Sequence, residues 1–228
     1  MAYTAEDVER MKANVLKPDD TFTFTCQMCG NCCRNRAEPI LLTGPDIFRI
    51  AKSLGIRPGE VVSKYLTGYL GSTSNTPVFV LRERMDGSCS LLRNGKCVVQ
   101  DDKPVVCAIF PLGRFTDADT MEASYFTQNV SCPGVKKGNE ITLKDWLSAF
   151  KIEETETMAR AWISLMVGVS SVMANMGRAK ITQDMINAMI LAMYVGYDTD
   201  LPYEPQVEQS KQFIAAYMKK VHHIKLKF

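Results

Sequence analysis

The sequence predicts a mainly α protein with a small, irregular α+β cysteine-rich lobe, built of short strands and a hairpin around metal-ligand loops, and a carboxy-terminal helical lobe. Two observations predict it. All eight cysteines fall at or before Cys132. From Thr142 onward the chain carries helix starts, helical periodicity and helix stops in succession. The division expected is 1–139 for the cysteine-cluster metal-binding lobe and 140–228 for a helical lobe packed on it as one compact unit.

In the first lobe, Thr4-Ala5-Glu6-Asp7 reads as a helix start capped by Thr4, with the helix running to about Leu16 before Pro18. Thr21 to Thr25 alternates polar and aromatic residues, a short strand delivering Cys26. Residues 26–36 are a ligand loop. Thr43-Gly44-Pro45-Asp46 opens a second helix, whose apolar face is Ile47, Ile50, Ala51 and Leu54 and whose stop is Gly55. Pro58-Gly59-Glu60 opens a third, with Val61, Val62, Tyr65 and Leu66 inward. Residues 68–76 read as a loop, Pro77 to Arg82 as a strand, and Leu91 to Val99 as a hairpin turning on Asn94-Gly95. That turn brings Cys89 and Cys97 toward each other. Pro104, Pro111 and Pro133 are expected to keep the segments around Cys107 and Cys132 irregular.

In the second lobe, helices are predicted from Thr142, over Glu153 to Met176 with a stop at Gly177, over Thr182 to Val195, and over about Glu204 to His223. Met158, Met166, Met173, Met185, Met189 and Met193 recur mostly at spacings of seven or four. Such a stripe reads as a helix–helix core in preference to a binding groove.

Composition narrows the function. The chain has 228 residues, 46% of them hydrophobic, so it can bury a sizeable core. A formal net charge of +2 gives no strong pull on nucleic acid. Met1 to Asp7 lacks a basic region followed by an apolar run, so no secretory signal is expected. Ala161 to Ala174, the most apolar stretch, is too short and too broken by Ser and Gly for a membrane span. The expected setting is the cytoplasm, where thiols stay reduced and favour metal ligation over disulfides.

The chemistry lies in Cys26-x-x-Cys29-x-x-Cys32-Cys33, four thiols in eight residues. Short C-x-x-C turns direct sulfurs to one side, which suits zinc or an iron–sulfur cluster. Cys89, Cys97, Cys107 and Cys132 bring the thiols to eight, against two histidines at the far end, His222 and His223, expected as an exposed basic tail. A mixed Cys/His zinc site and a nucleophilic cysteine with a histidine partner are therefore disfavoured. No glycine-rich nucleotide loop is present, and the cysteine gaps are not those of a radical enzyme using S-adenosylmethionine.

Eight thiols fit two four-sulfur sites. Side chains of the adjacent Cys32 and Cys33 diverge, which suits them to different metals. Bacterial ferredoxins use the same triple spacing followed by a distant Cys-Pro that ligates the other cluster. Here Cys132-Pro133 supplies a Cys-Pro. One site is therefore assigned Cys26, Cys29, Cys32 and Cys132, and the second Cys33, Cys89, Cys97 and Cys107. A single site with spare thiols is the alternative.

These residues resemble a known family. The run Cys26 to Cys33 is similar to the zinc- or iron-chelating CxxCxxCC domain, also called the YkgJ family. Leu42-Thr43-x-x-Asp46-Ile47-x-x-Ile50-Ala51 looks like that family's helix after the cluster, and Cys89, Cys97 and Pro104-x-x-Cys107-x-x-Phe110-Pro111 look like its second half. The resemblance covers roughly residues 22–135. The family often has Arg where this chain has Lys103 and Ala108. The resemblance implies metal or iron–sulfur binding. The expected cofactor is an iron–sulfur cluster, [4Fe-4S] by preference, one or two per chain, with zinc as the alternative. A flagellin lysine N-methylase shares a similar cysteine pattern. Three functions follow: a redox or electron-transfer accessory protein, a zinc-stabilised protein-binding module, or a cluster-containing protein-modifying enzyme. Each implies a protein partner, either a redox enzyme or a substrate protein, and none a nucleic acid. Whether there is catalysis is left open.

Overall fold

The structure, a computed structural model, describes residues 5–34, 36, 38–117, 120 and 122–228. The cap expected at Thr4 lies outside the described residues. Helix α1 (Ala5–Ala13) ends earlier than the predicted Leu16. The reason is long-range pairing. Val15 bridges Phe126, and Leu16 N–H donates to Tyr125 C=O at 2.8 Å, so residues 14–16 run alongside a distant strand instead of extending the helix.

Strand β1 (Thr21–Thr23) buries Phe22 and exposes its two threonines, the predicted alternation. After a 3₁₀ turn at Asn31–Cys33 come β2 (Leu41–Leu42) and α2 (Gly44–Leu54). Helix α2 starts as expected. Thr43 and Asp46 form a reciprocal capping box, Pro45 occupies the first turn, and Gly55 ends it at φ 62°. Ile47, Ile50 and Ala51 are fully buried. Helix α3 (Pro58–Tyr65) follows and buries Val61.

Residues 68–76 are not all loop, because β3 (Leu66–Leu70) pairs antiparallel with β4 (Pro77–Leu81), and β2 flanks β4 on the other side. Gly68 hides the strand in sequence but suits it in space. A Cβ there would stand 2.7 Å from the Phe79 ring, which packs across the strand. The loop joining β3 and β4 caps α7 (introduced below), since Asn75 Nδ2 donates to the carbonyls of Met173 and Met176 at 3.0 and 2.9 Å.

The predicted hairpin is β5 (Leu92–Arg93) and β6 (Lys96–Cys97), with Asn94 and Gly95 both at positive φ. The proline-rich segments are more ordered than expected. Pro104 precedes α4 (Val105–Ala108), and Pro133 opens α5 (Pro133–Lys136), because the first turn of a helix needs no proline N–H. Between them, β7 (Leu112–Thr116) and β8 (Ala123–Thr127) form an unforeseen hairpin. Strand β9 (Glu140–Thr142) pairs with β1, so backbone hydrogen bonds cross residue 139. Helix α6 (Leu143–Ala149) follows, with Thr142 accepting from Asp145 N–H at 3.1 Å.

The long helices are α7 (Ile152–Met173), α8 (Gln183–Ile190) and α9 (Tyr203–His222), with a π-helical segment at Leu191–Val195 continuing α8. Trp162 Nε1 donates to Met193 C=O at 2.8 Å, and Tyr197 O–H to Ala192 C=O at 2.6 Å, so the altered carbonyls are satisfied inside the core. Of the methionine stripe, Met173, Met185, Met189 and Met193 are buried, and Met158 and Met166 pack against the same core. It is a helix–helix core. His222 departs from the expected exposed tail, since it is half-buried against Tyr217 with ring centroids 5.6 Å apart.

Two hydrophobic clusters result. The large one joins α2, α3, β3, β4 and the hairpin β5–β6 to α7, α8 and α9. The small one joins β1, α4, β7, β8 and α6 through Phe22, Phe24, Ile109, Leu112, Tyr125 and Leu143. The fold is mainly α, with the cysteines gathered on short strands and turns in its first half and helices closing the second. No helix among the described residues is long and apolar enough to cross a membrane.

Candidate metal centre

The cysteine loop is held from several sides. Phe24 N–H donates to Asn139 C=O at 3.0 Å, and Thr25 N–H to Gly134 C=O at 3.1 Å, which brings the loop before Cys26 against the segment after Cys132. A Cβ at Gly134 would meet Thr25 C=O at 2.5 Å, so only glycine permits this approach. Farther on, Cys89 N–H donates to Cys33 C=O at 2.8 Å, and Arg34 bridges Ser88. The loop is thus stitched to both later cysteine segments.

Cys107 is positioned from α2. Buried Asp46 uses one carboxylate oxygen in the α2 capping box and the other to accept Val105 N–H at 2.9 Å, the first residue of α4. Arg49, one turn along, reaches Lys103 C=O at 3.5 Å. Trp146 Nε1 donates to Ile109 C=O at 3.1 Å, fixing the other end of that turn.

Two cavities adjoin at this loop. The core-side cavity, of about 120 Å³, is lined by six cysteines, Cys26, Cys32, Cys33, Cys89, Cys97 and Cys107. The surface-side cavity, of about 200 Å³, is lined by Cys26, Cys29, Cys32 and Cys132. Cys26, Gly30, Cys32 and Phe110 are common to both. His222 and His223 line neither. The vicinal sulfurs of Cys32 and Cys33 are 3.9 Å apart, and Cys26 Sγ is 3.8 Å from Met28 Sδ. Among the described residues, no three Cys, His, Asp or Glu side chains converge on a point that could hold a metal ion.

The electrostatics separate the thiols. The hydrogen bond from Cys33 lowers the Cys32 thiol below its ordinary range, against the opposing effect of burial; Lys103 and Arg36 lower it further. Cys33 is pushed the other way by that same contact, by burial and by neighbouring sulfurs. Burial raises Cys97, and with nearby sulfurs pushes Cys107 up to about 12. A metal entering the core-side cavity must displace these protons, because thiolates are the ligands.

The donor set fits zinc or iron. Its ionisable donors are all soft sulfur, with no carboxylate or imidazole among the residues lining either cavity. One further group was not foreseen from sequence. Arg36, in the ligand loop, has a side chain only 8% exposed and lines the core-side cavity. No local pattern marks it, since its ion-pair partner Glu83 lies in a distant segment.

Comparison with known proteins agrees with this chemistry. Residues 25–133 match the model of the CxxCxxCC family, described as "Putative zinc- or iron-chelating domain". No curated protein matches the chain. No solved structure matches it either. The matched span runs from just before Cys26 to just after Cys132 and takes in every cysteine of both cavities. Residues 25–133 are thus similar to the CxxCxxCC domain, the resemblance that the spacing of their cysteines carries.

Proposed function

We propose that this chain binds iron–sulfur clusters, of the [4Fe-4S] type, and serves in electron transfer or as an accessory to a redox enzyme, its protein partner, in the cytoplasm. The core-side cluster takes Cys33, Cys89, Cys97 and Cys107. The surface-side cluster takes Cys26, Cys29, Cys32 and Cys132. The observation that supports this reading is the pair of adjoining cavities, one lined by Cys26, Cys29, Cys32 and Cys132 and the other by Cys33, Cys89, Cys97 and Cys107 together with the shared Cys26 and Cys32. Sites that share a wall suit passage of an electron from one to the other and onward at the exposed side. The absence of histidine from both walls favours iron–sulfur chemistry over mixed zinc ligation.

The test is anaerobic purification with iron, zinc and labile sulfide measured per chain. Brown protein with iron and sulfide in equal amounts supports the reading. Colourless protein holding zinc alone replaces it with a zinc-stabilised protein-binding module.

A further inference from the structure

Four thiolates around a metal leave an excess of negative charge, and the core-side walls are largely apolar side chains such as Ile40, Leu81, Leu91 and Leu92. A buried charge of that kind needs a partner. The cationic side chains lining this cavity are Arg36 and Lys103. Lys103 is engaged with the Phe150 ring, 4.6 Å from its centroid. Arg36 is not comparably engaged. Its Nε and Nη2 are buried and find no hydrogen-bond acceptor among the described residues. Nη2 stands 3.3 Å from Glu83 Oε1, an ion pair without hydrogen-bond geometry, and Glu83 itself is 41% exposed. Buried guanidinium N–H groups without acceptors are rare, because each forfeits the hydrogen bond water would have given.

We propose that Arg36 is the charge-compensating residue of the core-side site, donating its free Nε–H and Nη2–H to cysteine sulfurs once these are metal-bound thiolates. This rests on the metal-binding reading above. Arg36 is not a ligand but a positioning residue. It neutralises the ligand set and holds the sulfurs by directional hydrogen bonds, which a point-charge lysine does less well. Its charge also favours the more negative, reduced state of a cluster.

The test uses the full chain titrated with Zn²⁺ against a chromophoric chelator, comparing wild type with Arg36→Met, Arg36→Lys and Glu83→Gln. Arg36→Met keeps bulk and removes charge, and should weaken the affected site about 10- to 100-fold, as loss of an outer-shell partner does. Arg36→Lys should recover part of that loss. Glu83→Gln should bind as tightly as wild type, since Glu83 is only a bystander. In iron–sulfur-loaded protein, Arg36→Met should shift one midpoint potential to more negative values. The proposal is overturned if Arg36→Met binds Zn²⁺ like wild type. It is also overturned if Glu83→Gln reproduces the loss, which would make the ion pair structural. If Arg36→Met does not fold, the contrast between Arg36→Lys and Glu83→Gln still decides. Failure of wild type itself to take up metal would overturn the functional reading, and this proposal with it.

Discussion

Cys89 is a buried member of the large hydrophobic cluster, and Cys33 and Cys97 pack against that cluster. By contrast, Cys26, Cys29 and Cys32 are exposed, and Cys132 packs against the small cluster. The two four-thiol sets therefore rest on unlike supports. Cys33, Cys89 and Cys97 of the core-side set sit on a core that α2, α7, α8 and α9 complete, while Cys107 lies beside Ala108 and Ile109 of the small cluster. The surface-side set sits on a loop whose order comes from a few aromatic contacts, such as Phe24 with Trp146 and Phe110, and from backbone bonds across Gly134. Apolar burial scales with area removed from water, so the large cluster contributes more stability than the small one. The backbone carrying Cys33, Cys89 and Cys97 is fixed by the large cluster, whereas the surface-side loop has fewer contacts to order it.

The largest expected effect is metal withdrawal. Structural zinc contributes about 10–16 kcal/mol of apparent binding free energy in small domains, against a net stability of roughly 5–15 kcal/mol for a typical domain. Chelation should abolish amide-exchange protection in residues 21–36 and 105–142, which the small cluster supports, while α2, α7, α8, α9 and the segment of Leu91 and Leu92 keep theirs. Uniform loss across the chain would erase the contrast between the two supports.

Next in size is damage to the large cluster itself. Trp162→Ala removes a buried indole and its hydrogen bond to Met193 C=O, a loss of about 3–5 kcal/mol for a large aromatic truncated in a core. Its thermal midpoint should fall steeply while metal per chain stays at the wild-type level. Asp46→Ala should fall between the two clusters. Loss of the α2 cap costs about 0.5–2 kcal/mol, and Val105 N–H also loses its acceptor. Metal affinity should drop as well, because the turn carrying Cys107 is released. An unchanged affinity would mean that α4 is fixed by other contacts, Trp146 first among them. The smallest effect belongs to Thr142→Ala at the start of α6, about 1 kcal/mol from the lost cap, with no change in metal binding.

The parts that were legible in sequence are those decided locally. Thr43, Pro45, Asp46 and Gly55 bracket α2, and Asn94-Gly95 sets the β5–β6 turn, because capping and turn chemistry act within a few residues. The cysteine family was legible for the same reason, since ligand spacing is a local property. What escaped was decided at a distance. α1 stops at Ala13 because Leu16 is claimed by Tyr125, β9 exists because β1 is there to pair with it, and Gly68 reads as loop until Phe79 lies across it. The prolines misled in an instructive way. In sequence Pro104 and Pro133 read as breakers, but each stands at the start of a helical turn, where a missing N–H is harmless. Arg36 is the plainest case, since nothing within several residues of it indicates that its guanidinium will be buried beside thiols.

The central claim is that the vicinal pair is divided, Cys32 to the surface-side set and Cys33 to the core-side set. It is tested most directly by metal per chain in the eight single Cys→Ser variants, purified anaerobically. A hydroxyl binds iron and zinc far less well than a thiolate, so each change should empty its own site. The account predicts two classes of half-loaded protein, with Cys32→Ser grouped with Cys26, Cys29 and Cys132, and Cys33→Ser with Cys89, Cys97 and Cys107. Variants that keep full metal content, or a loss of all metal in every variant, would contradict it.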